Sequence, residues 1–298
     1  MYLTGFADEA ARDLAGQIAA TKELGWSNIE SRCIDGVNIH DLSDEAFDEV
    51  AAKLAASGVK INCFGSAIAN WGKSIESEAD FEKDMEQVRR AIPRMLRLGT
   101  KLVRIMSYAV LKDRRPDDQM REKRFERVRA IVSEFLAAGI QPVHENCMNY
   151  GGMGWSYTLD VLDNVPGLKL VFDTGNPIFT DDRTKPEPWP KQDVFEFWRA
   201  VRDHVVYIHV KHGEFRDGKM TYMYPDEGPD SVSRVLDDAV ARGYDGGISI
   251  EPHLVHVFHD PQGKPDPVRC RAAYVEYGRR IEKIVRDAFA KAGRECKI

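Results

Sequence analysis

No CxxC pair occurs in the sequence, and its five cysteines, Cys33, Cys63, Cys147, Cys270 and Cys296, are scattered and odd in number. That excludes an obvious disulfide framework or structural zinc knuckle and predicts reduced thiols. No run of about 18 apolar residues is present, so no membrane span is expected. The opening residues, MYLTGFADEAARD, carry acids and an arginine instead of a basic start and an apolar stretch, so no signal peptide is expected and the cytoplasm is the expected compartment. Positive charge is not in excess. The 42 lysines and arginines face 48 acids, for a net charge of −6, whereas a nucleic-acid binder needs a basic face. Low-complexity tracts and dividing linkers are missing too. Neither GxGxxG nor GxxxxGK[ST] appears, which removes the phosphate loop expected of an open doubly wound sheet.

Short apolar runs alternate with amphipathic stretches from end to end. Eight runs read as strands: Leu3–Ala7, Asn28–Ser31, Lys60–Gly65, Leu102–Ser107, Gln141–Asn146, Leu168–Asp173, Val205–Lys211 and Gly247–Glu251. Near-continuous apolar runs suit parallel strands covered on both faces. Helices are expected over Asp8–Leu24, Asp44–Ala56, Glu78–Leu98 and Gln119–Ala138, each followed by a glycine able to end it. Repeated helix–glycine–strand junctions, at about 37 residues per unit, predict an α/β fold, a single (β/α)₈ TIM barrel domain over residues 1–298. Thr180–Pro190 and Pro261–Pro267 are rich in proline and polar residues. They read as loops that follow strands and so lie on the catalytic face.

Four of the later strands end in metal-type donors: Glu145 in QPVHEN, Asp173 in LVFDTGN, His209 in YIHVKH and Glu251 in ISIEPH. They are 28, 36 and 42 residues apart, close to one barrel unit each. Neighbouring strand ends of a barrel can aim such groups at one point. Three carboxylates buried together demand a compensating cation. An oxygen-rich set with one imidazole suits Mn²⁺ first, with Mg²⁺, Co²⁺ or Zn²⁺ as alternatives. A lone acid at a strand end is commonly a cap or an ion-pair partner; four in consecutive units are much harder to ascribe to that.

These strand ends, with the His-Val-Lys segment His209–Lys211, resemble the xylose isomerase-like TIM barrels, the sugar phosphate isomerase/epimerase superfamily, over essentially the whole chain. The resemblance implies one divalent metal on Glu145, Asp173, His209 and Glu251, with Glu145 and Glu251 also acting as an acid–base pair across a sugar. It places Lys211 near the substrate. Where the family often has Asp-x-x-His, this chain has Asp173-Thr174-Gly175-Asn176, and Asn176 is kept as a substrate contact. The implied chemistry is proton abstraction beside a carbonyl through an enediolate, giving isomerisation or epimerisation.

The segment HENCMNYGGMG, His144–Gly154, also resembles the large subunit of C-glycoside deglycosidases and related 3-oxo-glycoside-processing enzymes. That implies an alternative, β-elimination with His144 as a base and a small partner subunit. Strand alternation, however, turns His144 away from the lumen if Glu145 faces it. A metal-dependent apurinic-site endonuclease is the lesser alternative; strands ending in CFGS and RIMS lack the histidines of a multi-zinc cluster. The expected partner is a small sugar or sugar derivative. Neither nucleic acid nor membrane is expected, and a homo-oligomer is. Phe6, Trp71 and Trp155 can stack on a sugar face or simply pack. His253 is kept as a substrate contact from the group His212, Glu214, His253, His256 and His259, the rest being expected as surface polar groups. Arg104 can bind an anion or pair internally.

Overall fold

The computed structural model describes residues 1–255 and 266–298. Eight parallel strands occupy the segments the apolar runs predict: β1 (Tyr2–Gly5), β2 (Asn28–Ser31), β3 (Lys60–Gly65), β4 (Leu102–Ile105), β5 (Gln141–Glu145), β6 (Lys169–Asp173), β7 (Val205–Val210) and β8 (Gly247–Ile250). Their residues are buried almost without alternation, as strands covered on both faces must be.

By its internal contacts the chain forms two compact units, one of Met1–Asn62 with Val206–Ile298 and one of Cys63–Val205. The boundary at Asn62 falls inside β3 and not in a linker. In the first unit, β8 pairs with β1 from Tyr2↔Gly247 to Gly5↔Ile250, and with β7 from Gly247↔Tyr207 to Ile250↔Val210. A parallel bridge between Phe6 and Glu30 joins the ends of β1 and β2. In the second unit, β4 pairs with β3 and β5, and β5 pairs with β6.

Helices start and stop where their caps dictate. The helix Asp44–Ser57 begins at Ser43, whose hydroxyl accepts from Ala46 N, and ends at Gly58 with φ 74°. The helix Glu78–Leu98 has the bounds the sequence predicts, between the Ser77 cap and Gly99 at φ 71°.

The first helix departs from expectation. Residues Ala7–Glu9 make a single 3₁₀ turn, and the α-helix begins at Leu14, capped by Asp13 on Gly16 N. Asp8 and Glu9 are drawn out of helical register by Arg32 and His253. The fourth starts at Arg121, because the Gln119 side chain folds back onto the Leu111 backbone. Two antiparallel hairpins, Cys33–Ile34 with Val37–Asn38 and Gly213–Arg216 with Lys219–Tyr222, were not foreseen.

The Thr180–Pro190 loop is tied down by an Asp181–Lys191 bridge and by Arg183 N on Met153 O. Of Pro261–Pro267, residues 261–265 lie outside the described residues, and Pro267 opens the helix Pro267–Lys291. None of the helices among the described residues is long and apolar enough to cross a membrane.

Candidate active site

In the first unit, the carboxyl ends of β1, β2, β7 and β8 bring charged groups together. Glu251 follows β8 and is buried. Its Oε1 accepts from Arg32 Nη1 at 2.8 Å and its Oε2 from Lys211 Nζ at 2.9 Å. Burial alone would raise the Glu251 pKa, but Lys211, His253, Arg32 and His209 outweigh it and hold the carboxyl well below its ordinary range.

Arg32 also grips Asp8 through Nε and Nη2, at 2.9 and 3.1 Å, and reaches Glu9 at 3.4 Å. Glu9 in turn accepts from His253 N at 2.7 Å and contacts its Nδ1 at 2.8 Å. His209 Nε2 lies 3.0 Å from Glu30, which also accepts from Tyr207 OH. Phe6 meets the His209 ring edge-on at 5.1 Å and lies beneath the Arg32 guanidinium at 4.6 Å. It is fully buried and acts as a wall for both groups.

Four carboxylates in this group, Asp8, Glu9, Glu30 and Glu251, face two full cations, Arg32 and Lys211. The imidazoles of His209 and His253 lie against Glu30 and Glu9 in the same buried setting. Glu9, Glu251 and His253 offer donor atoms within 4.8 Å of one another, a set that could hold a metal ion. Arg32 already bridges the two glutamates there.

In the second unit, Glu145 ends β5. Its Oε2 accepts from Arg104 Nη1 and its Oε1 from Asn176 Nδ2, both at 2.9 Å. Asp173 ends β6, and its Oδ1 accepts from Gly175 N and Asn176 N at 2.7 and 2.6 Å. Asn146 locks the two strand ends through paired bonds to Asp173 N and O. The buried Asn176 Oδ1 has no hydrogen-bond partner among the described residues. Arg104 therefore pairs internally, the second of its two expected roles.

His144 is fully enclosed beside Ser107 Oγ, 3.0 Å from its Nε2. Burial pushes its pKa down to about 4, against the pull of Glu145 and Asn149, so it is neutral at neutral pH. The glycines of HENCMNYGGMG have a local packing reason. A Cβ on Gly151 would sit 2.3 Å from His144 Cε1, and one on Gly152 only 1.6 Å from Cys147 O. Gly152→Ala is expected to cost about 1–3 kcal/mol, because the obstacle is backbone. Urea unfolding measures this, and an unchanged midpoint would mean the loop yields freely.

The predicted residues thus divide two and two: His209 and Glu251 in the first unit, Glu145 and Asp173 in the second, all buried. Lys211 and Asn176, expected at substrate, hold Glu251 and Glu145. Of the residues expected at the surface, His212 is buried against Glu227 O, where burial lowers its pKa. Glu214 lies on that hairpin beside Arg216. His253, kept as a substrate contact, is buried on Glu9. His256 and His259 lie outside the described residues. Trp71 is half-buried, and Trp155 opens the helix Trp155–Asn164.

Sequence reasoning missed Glu9, Glu30 and Arg32. Only Ile29 precedes Glu30-Ser31-Arg32 as an apolar residue, after Ser27 and Asn28, so no apolar run marked this strand end in the sequence.

The strand and helix order has counterparts. A family model described as "Xylose isomerase-like TIM barrel" matches residues 18–271. No curated protein matches by sequence. Among solved structures, a D-tagatose 3-epimerase-like protein superposes with a TM-score of 0.74 at 16% identity, covering 98% of this chain and 99% of the other. The IOLI protein with a bound zinc atom gives 0.71 at 13% identity, covering 97% and 100%. A Xylose isomerase-like TIM barrel protein from Mycobacterium smegmatis, in complex with magnesium, gives 0.69 at 17% identity, covering 96% and 97%. At such identities these structures establish the fold alone. With the family match spanning most of its length, the chain belongs to the xylose isomerase-like TIM barrel family.

Proposed function

We propose that this chain is a divalent-metal-dependent sugar isomerase or epimerase working as one barrel domain, with Glu145, Asp173, His209 and Glu251 holding the metal. The observation that carries the reading is the gathering of buried carboxylates and imidazoles at the strand ends. In the first unit Arg32 and Lys211 face Asp8, Glu9 and Glu251, and His209 faces Glu30. In the second, Arg104 faces Glu145 near the end of a strand whose neighbour ends in Asp173. Buried charge of this kind needs a counter-cation.

All four residues are buried, and each is of a type that ligates divalent metals. In the family's fold, consecutive strand ends are neighbours, and active sites sit at that face. Two related structures carry magnesium and zinc, and another is an epimerase-like protein. Three carboxylates and one imidazole fit Mn²⁺ best.

A bound divalent cation supplies the positive charge that makes a carbon beside a carbonyl acidic. The side chains do the rest. Glu251 carries two full cations on its carboxylate, so it stays ionised and takes up a proton poorly. Glu145, held by Arg104 and by the Asn176 amide, is the proposed proton acceptor. The proton returns from the Glu251–Lys211 pair, whose Nζ is a donor 2.9 Å from the carboxylate. Buried Asn176 Oδ1 is an open acceptor for a sugar hydroxyl.

The test is exchange with solvent. The chain, purified alone and given Mn²⁺, is expected to place deuterium from D₂O on the carbon beside the carbonyl of at least one ketose. Absence of incorporation across a panel of ketoses and 3-oxo-glucosides removes the reading.

A further inference from the structure

A second feature of the Cys63–Val205 unit has no part in proton transfer. The loops that follow β3, β4, β5 and β6 enclose a pocket of about 260 Å³. Trp71, Met148, Met153 and Phe179 make its wall apolar, and Lys112 and Arg183 supply two cations. The Arg183 guanidinium lies over Trp189, 4.3 Å from the ring centroid, and its buried Nη1 has no hydrogen-bond partner among the described residues.

Neither cation is neutralised among the described residues. Asp181, the acid in the lining, is taken by Lys191 at 2.7 Å. Asp182 is turned towards Thr184 N at 3.0 Å. The Arg183 main chain is pinned by its N on Met153 O, and Gln192 Nε2 holds the loop to Gly152 O, so the guanidinium is presented from a fixed support. Asn149, also in the lining, donates to Glu145 O, which ties the pocket floor to the strand end carrying the proposed base.

An apolar cavity with an unsatisfied guanidinium has a definite complement. Leaving Nη1 buried and unpaired is costly, and a carboxylate or phosphate oxygen relieves that cost through a charge-assisted bond. We propose that this pocket binds an organic anion with an apolar body, the body lying against Trp71, Met148, Met153 and Phe179 and its carboxylate or phosphate on Arg183 and Lys112. On the proposed activity, which this extension rests on for its role, the pocket selects sugar derivatives that bear such a group and not free sugars.

Calorimetric titration of the purified full chain with benzoate, phenyl phosphate and neutral benzamide tests it. Benzoate or phenyl phosphate is expected to bind saturably and at least about tenfold more tightly than benzamide, the value of one charge-assisted hydrogen bond. The stronger of the two identifies the anion. Arg183→Met and Lys112→Met should each reduce that preference. Lys112 is exposed, so its variant stays interpretable if Arg183→Met folds poorly. Equal binding of anion and amide, an unchanged preference in both variants, or no binding overturns the proposal. The titration is repeated after EDTA treatment. Binding that persists is independent of the proposed metal, and binding that vanishes assigns the anion to the metal and overturns the pocket.

Discussion

Glu145→Gln and Asp173→Asn are expected to lose bound divalent metal and turnover together, with turnover in Glu145→Gln falling by about 10²–10⁴-fold or more, the range for removing a positioned proton-transfer group. Both replacements keep the side chain's shape. Asparagine at 173 still offers an oxygen to Gly175 N and Asn176 N, and glutamine at 145 still faces Arg104 and Asn176. What each removes is a negative charge from a set that holds a cation by charge. Folding should therefore survive, as far-UV circular dichroism would show, while metal content measured by mass spectrometry drops. Stoichiometric metal in both purified variants removes the proposed centre. Metal loss with unimpaired exchange leaves the centre and removes its role.

Arg32→Met is expected to destabilise the protein by about 3–5 kcal/mol, the cost of stripping one partner from a buried ionic group. The guanidinium serves Asp8, Glu9 and Glu251 at once, and all are nearly inaccessible to solvent. Methionine fills similar volume but leaves three carboxylates crowded without their shared cation. Arg121→Met is the comparison. Its pair with Asp160 is largely exposed, and the expected loss is at most about 1 kcal/mol. Urea unfolding of both variants, in EDTA, gives the difference. A loss at Arg32 no larger than at Arg121 would show that the acids are protonated or hydrated in the folded state. Asp8 is the acid to watch: burial raises its pKa despite Arg32.

Much of this was readable from the sequence, for identifiable reasons. Parallel strands covered on both faces leave near-continuous apolar runs, so β6 and β8 fall where the pattern puts them. Glycines with positive φ mark helix ends locally, which is why Glu78–Leu98 was legible to the residue. The strand-end acids at 145, 173 and 251 were visible because they break apolar runs. Arg32 was not, because its meaning lies in Glu251, 219 residues away. The same long-range pull explains the first helix. Local propensity favours continuation through Asp8, and tertiary charge pairing diverts it. His253 reads as a loop residue until Glu9, 244 residues earlier, is set beside it. Pairings of that span have no local periodicity to announce them.

The register of β1 against β8, Tyr2 opposite Gly247, carries a consequence for biosynthesis. A ribosome delivers Asp8, Glu9 and Arg32 long before it delivers Glu251 and His253, so the early acids and their arginine wait in water for the last part of the polypeptide. The stretch from Cys63 to Val205 is continuous and meets no such delay. Vectorial synthesis thus gives the middle of this chain a head start over its beginning, the reverse of the usual order.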